Sequence, residues 1–117
     1  MARRVALACT ALVALVTAVL LTPAASGSGT AKYTVTALDF RFRNMPARVP
    51  AGRHTFILVN RGDATHDIRL AGKKTRLLNK GQRASIVVRL RKGRKYAYVC
   101  TVPGHAALGM KGRLVAR

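Results

Sequence analysis

An all-β sandwich of seven or eight strands is the fold class this sequence predicts, and three observations predict it. From Ala31 onward no apolar pattern repeats at the helical period. Short runs of alternating polarity, rich in Val, Ile, Thr, Tyr and Phe, fill that stretch instead. Gly, Pro, Asn and Asp punctuate the runs at regular spacing, the pattern of a sandwich or a barrel.

The chain opens on a different kind of segment. Arg3 and Arg4 precede a charge-free apolar run over residues 5–21, and the small residues Pro23-Ala24-Ala25-Ser26-Gly27 follow. Basic start, apolar run and small-residue exit make residues 1–26 an expected export signal, cleaved after Ala25 or Ser26. The run is long for a cleaved signal, so a membrane anchor over residues 5–21 is the competing expectation. Either way the body is expected outside the cytoplasm: periplasmic, in the cell wall or secreted. Arg3-Arg4 lacks the rest of a twin-arginine motif, and Cys9 makes a poor lipoprotein site because the apolar run continues well beyond it. Residues 27–30 read as a short Ser/Gly linker.

Residues 31–117 form the expected folded domain. Strands are expected over residues 32–42, 54–60, 66–71, 83–90, 95–101 and 112–116. Pro46, Pro50-Ala51-Gly52, Arg61-Gly62-Asp63, Ala71-Gly72, Asn79-Lys80-Gly81 and Lys92-Gly93 separate them. Residues two apart on a strand share a face. His66, Ile68 and Leu70 therefore point inward, with Asp67 and Arg69 opposite. Tyr96, Tyr98 and Cys100 share another face, so Cys100 projects inward at a strand end.

Charge and cysteine use narrow the function. The chain carries 22 basic residues against three aspartates and no glutamate. Without Arg3 and Arg4, twenty basic residues remain against three acidic ones, a net +17. Such a field favours anionic partners. Nucleic acid is not expected, because an exported protein rarely meets it and the six aromatic residues are not interleaved with basic ones. An acidic protein partner, an anionic membrane or a cell-wall polymer fits better. Loss of Cys9 with the signal leaves Cys100 as the lone cysteine of an exported domain, where cysteines usually come in pairs. Metal ligation resolves that oddity.

The segment Cys100-Thr101-Val102-Pro103-Gly104-His105-Ala106-Ala107-Leu108-Gly109-Met110 carries a thiolate, an imidazole and a thioether, with four residues between each pair. Two nitrogens and a thiolate in a trigonal set, with a distant axial thioether, describe a mononuclear blue-copper centre. His66 is the candidate for the second nitrogen. Taken singly, a cysteine, a methionine or a histidine is more often core filler or a hydrogen-bonded bystander; the joint arrangement in an exported chain is not.

The residues from Tyr98 to Gly112 resemble the ligand loop of the small cupredoxins, the family of azurin, plastocyanin, auracyanin and rusticyanin. Val59-Asn60-Arg61-Gly62 followed by His66-Asp67 is similar to the family's earlier ligand region. The resemblance spans residues 31–117. It implies a Greek-key β-sandwich and one type 1 copper per chain, bound by His66, Cys100, His105 and Met110. It also implies one-electron transfer rather than an enzymatic activity. The sequence departs from the family at Asp67, where asparagine is frequent.

The expected function is thus that of an exported blue-copper electron carrier. Pro103, Ala106, Ala107 and Leu108 would form an apolar docking patch around His105 for a redox partner. Asp67 is expected to brace the site by accepting a hydrogen bond from Thr101. His54, the one remaining histidine, is expected to make ordinary hydrogen bonds near a strand end. The rival function is copper delivery or buffering outside the cytoplasm. A copper-free surface-binding domain on the same fold is disfavoured by the intact ligand set.

Overall fold

The computed structural model describes residues 11–21 and 29–117. Arg3-Arg4, Cys9, the expected cleavage sites and residues 27 and 28 of the linker lie outside the described residues. No helix among the described residues is long and apolar enough to cross a membrane.

Nine strands form two sheets: β1 (Lys32–Leu38), β2 (Arg41–Arg43), β3 (Arg48–Val49), β4 (Gly52–Asn60), β5 (Arg69–Leu70), β6 (Lys73–Lys74), β7 (Arg83–Leu90), β8 (Lys95–Val99) and β9 (Lys111–Ala116). One sheet has the order β2-β1-β4-β7, the other β3-β9-β8-β5-β6. The parallel pairs are β1 with β4 and β3 with β9. The remaining strand pairs are antiparallel. The expected all-β sandwich is the observed fold; three two-residue strands and a split first run raise the strand number.

Alternation does what the sequence suggests where the strands are long. Along β4, His54, Phe56, Leu58 and Asn60 are buried, and along β7 Ile86, Val88 and Leu90 are. They meet Val35, Ala37, Leu114 and Ala116 in one core that extends to Cys100 and Met110. Fully burying an aliphatic or phenyl side chain contributes about 1.5–3 kcal/mol, so Cys100 and Met110 are anchored in the stabilising core itself.

Two expectations need correction. The run over residues 32–42 is not one strand: Asp39 and Phe40 turn the chain, and β2 returns antiparallel with Leu38 opposite Arg41. Alternating polarity continues through such a tight reversal, so the pattern hides it. The run over residues 66–71 is regular only at β5; His66 makes an isolated bridge to Leu78 through two backbone bonds. Face alternation therefore does not carry through residue 67. Asp67 is fully buried instead of lying on the outer face.

The sandwich has two distinct ends. With about 3.3 Å per residue, the β4 termini Gly52 and Asn60 lie roughly 25 Å apart. His54 sits towards the Gly52 end with both ring nitrogens engaged: the Ala31 N–H donates to Nδ1 at 3.1 Å, and Nε2 is 2.6 Å from the Pro50 carbonyl oxygen. At the Asn60 end a different set of side chains converges.

Candidate metal centre

Asn60 builds the first wall. Its side-chain oxygen accepts from the Gly62 N–H at 2.9 Å, and its amide nitrogen donates to the carbonyls of Ala64 and Leu78, both at 2.8 Å. This fully buried amide folds residues 61–64 into a tight loop that delivers His66 beside Leu78. A second wall is the segment after β8. Pro103-Gly104 forms a reverse turn in which the His105 N–H bonds to the Val102 carbonyl, with Gly104 at φ 84°. That backbone conformation suits glycine after proline. The Cys100 N–H then bonds to Met110 and the Met110 N–H to His105, so the three loop residues are tied by their own backbone.

These walls bring the donors together. His66 Nδ1 and His105 Nδ1 face each other at 3.1 Å, and Cys100 Sγ lies 3.7 Å from the same His105 nitrogen. One donor atom from each of His66, Cys100 and His105 lies within 4.8 Å of the others. His66 and Met110 are 0% exposed and Cys100 1%, whereas His105 is half-buried. Two imidazole nitrogens and a sulfur, with buried Met110 tied to Cys100 and His105 through its backbone, fit copper by the chemistry of the donor set.

The polarity of His66 is fixed from behind. The Asp39 carboxylate accepts from His66 Nε2 at 2.7 Å, from the Asp63 N–H at 2.9 Å and from the Ala64 N–H at 3.1 Å. An ionised carboxylate only accepts, so the proton sits on Nε2 and the Nδ1 lone pair faces the pocket. The Asp63 N–H and then the His66 ring hold the Asp39 carboxyl below its usual range. Gly62 permits the contact: a Cβ there would stand 2.8 Å from His66 Nε2 and closer still to Asp39 Oδ1. For Cys100, burial is the largest influence and pushes the thiol up. The backbone N–H groups of Asp67 and Val102 act the other way, while the Asp67 carboxylate adds to the rise.

Asp67 accepts from the Thr101 N–H at 2.6 Å through Oδ1 and from the Thr101 hydroxyl through Oδ2. This joins the His66 segment to the Cys100 segment in the way the sequence suggested, from a buried position. Asp67→Ala should weaken copper retention about 10–100-fold, a common cost of losing a partner behind the ligands. Asp67→Asn should keep most of that retention and raise the reduction potential, since a nearby negative charge favours Cu(II). Chelator competition and voltammetry read the two effects separately; two wild-type-like variants would reduce Asp67 to a buried spacer.

Pro103, Ala107 and Leu108 lie exposed on the loop beside His105, Leu108 at 63%, with Ala106 half-buried. Asp39 and Phe40 were missed by the sequence reading. The Phe40 ring packs edge-on against His105, with ring centroids 5.0 Å apart, and against His66 at 6.4 Å. The only signal for Asp39 was its rarity: it is one of three acidic residues in a strongly basic chain.

A family model, copper binding proteins of the plastocyanin/azurin family, matches residues 58–117. No curated protein sequence matches the chain. Similar solved structures include auracyanin B, with 21% identity, a TM-score of 0.66, and 74% of this chain and 88% of that one covered. Dithionite-reduced auracyanin from Roseiflexus castenholzii shares 18% identity at a TM-score of 0.67, covering 78% and 99% respectively. A blue copper oxidase from Nitrosomonas europaea shares 14% identity at 0.65, covering 76% of this chain but 39% of its own.

Proposed function

The chain belongs to the plastocyanin/azurin family of copper binding proteins, and from that premise we propose that it is an exported one-electron carrier. His66, Cys100, His105 and Met110 form its type 1 copper site. Copper, when bound, supplies the Cu(II)/Cu(I) couple. The observation that carries the proposal is the contrast in burial: His66, Cys100 and Met110 are closed off from water, and His105 alone among the four is half-buried.

The protein's own groups account for the rest. Backbone bonds among Cys100, His105 and Met110 hold the donors in one arrangement, so little has to reorganise when an electron arrives or leaves. Asp39 and Asp67 fix His66 and the start of the Cys100 loop. The His105 ring provides the short route to the surface. Exposed Pro103, Ala107 and Leu108 surround it as an apolar contact for brief docking, and Phe40, 38% exposed, extends that contact. Burial of three ligands disfavours copper delivery, which needs donors accessible to an incoming ligand. His54, with both nitrogens engaged, is not free to join a second copper centre of the kind an oxidase needs. Export rests on the N-terminal pattern of residues 1–26.

An absorption spectrum after stoichiometric Cu(II) addition tests the site: an intense visible band is expected, and a colourless copper complex would overturn the type 1 assignment. Reversible voltammetry with copper retained in both states separates carrier from buffer. Met110→Leu removes a weak axial donor, so copper should stay bound while the potential rises; loss of copper would assign Met110 a structural role. Arg41, Arg43, Arg61, Arg83 and Lys111 outnumber the aspartates around the copper end. Electron transfer with an acidic partner should therefore slow steeply as salt passes roughly 0.1 M, where the Debye length is about 10 Å. A flat response would remove electrostatic steering from the account.

A further inference from the structure

The acidic residues of this domain are confined to one of its two ends. Asp39, Asp63 and Asp67, its whole acidic complement, lie at the copper end, engaged with His66, Lys80 and Thr101. The opposite end carries only cations. Arg53 of β4 and Arg89 of β7 are direct cross-strand partners, an arrangement that costs energy for like charges. Leu90 pairs with Gly52 at the β4 terminus, so the turn that follows, Arg91-Lys92-Gly93-Arg94-Lys95, projects from the same end with four cations in five residues. All of these cationic side chains are exposed, and among the described residues none of them forms an ion pair. A groove of about 500 Å³ runs between them, lined by Ala51, Gly52, Arg53, Arg89, Arg91 and Lys92 among others.

A second, independent feature meets the same end. The chain enters the domain there: the Ala31 carbonyl accepts from the Thr55 N–H at 2.9 Å, and Gly29 lies against Gly52, its carbonyl oxygen 2.7 Å from where a Gly52 Cβ would stand. The segment leading to that point is apolar, and Leu12, Val13, Leu15, Val16, Val19, Leu20 and Leu21 are all at least 78% exposed. An apolar segment joined to a polybasic surface is the two-part combination that holds proteins on anionic bilayers.

We propose that the Arg53/Arg89/Arg91–Lys95 end is a membrane-facing surface that binds the phosphate headgroups of anionic lipid, with the copper end turned away from the bilayer. The roughly 25 Å between the two ends leaves the His105 loop clear of the headgroups and open to a partner. A basic residue near an anionic surface contributes roughly fivefold in affinity, so four of them dominate the lipid selectivity of the domain. The surface rests on an unpaired cationic cluster with no acidic residue at that end and on the position of Ala31, and it stands whether or not copper is bound.

Full-length protein is mixed with phosphatidylglycerol or phosphatidylcholine vesicles at about 0.1 M salt and the bound fraction is measured by flotation. Preference for phosphatidylglycerol is expected, and R53Q/R89Q/R91Q/K92Q should reduce that preference roughly several hundred-fold. The control R41Q/R43Q/R61Q/R83Q removes the same charge from the copper end and should retain most of it. The turn variant R91Q/K92Q should fall between wild type and the fourfold variant. Amide exchange on the vesicles should slow at Arg91–Lys95 and not at Pro103–Leu108. Equal losses in both fourfold variants, or protection centred on Leu108, would overturn the proposal. So would binding to a lipid-free glycerol-phosphate polymer without binding to phosphatidylglycerol vesicles, which would make the partner a wall polymer.

Discussion

Replacing Cys100 with serine is expected to abolish the visible colour of the cupric protein completely. The colour arises from charge transfer between a thiolate and Cu(II), and Cys100 is the sole sulfur donor that can ionise within the donor cluster. Serine keeps the side-chain size nearly unchanged at a position only 1% exposed. It also leaves intact the Cys100–Met110 backbone bond that closes the loop. The apo protein should therefore lose no more than about 1–2 kcal/mol of stability, within the range of ordinary substitutions, and keep its β-sheet circular dichroism. Copper affinity should drop together with the colour. A coloured Cys100→Ser protein would place the chromophore elsewhere. A variant that failed to fold would show that the buried sulfur contributes more to packing than to binding.

How much of this was legible in the sequence differs from element to element. β4 and β7 are long, two-sided strands, and their alternation appeared in the residues as it does in the burial pattern. The ligand loop was legible because its chemistry is local: Cys100, His105 and Met110 are held by backbone bonds within eleven residues. His66 needed a spatial argument, which parity supplied. The same parity failed one residue later, because a single bridge to Leu78 does not make a strand through Asp67. Asp39 and Phe40 were illegible for a stronger reason. They act across more than twenty residues of sequence, from a turn concealed inside an alternating run, and nothing in either neighbourhood announces the other.

The second large effect is expected at Asp39. This carboxylate accepts from the ring of His66 and from the N–H groups of Asp63 and Ala64. It therefore selects the His66 tautomer and pins the loop that carries the ligand. Asp39→Ala removes both functions, and the Nε2–H of a completely buried imidazole loses its acceptor. A buried donor without a partner is unfavourable, so the ring should rotate or exchange tautomers, and its Nδ1 lone pair should no longer be held towards Cys100 and His105. Copper affinity is expected to fall about 10–100-fold, with a broadened visible band. Asp39→Asn retains an acceptor oxygen for the ring without the negative charge, so affinity should largely return while the reduction potential rises. Gly62→Ala provides an independent route to the same result: its Cβ would intrude between Asp39 and His66, and the variant should resemble Asp39→Ala although the carboxylate is still present. Chelator competition, visible spectra and voltammetry on the three variants distinguish orientation from simple loop stability. If Asp39 only secured residues 61–64, Asp39→Ala would lower the melting temperature while leaving potential and copper affinity at wild-type values, and the assignment of Asp39 as the group that aims His66 would be wrong.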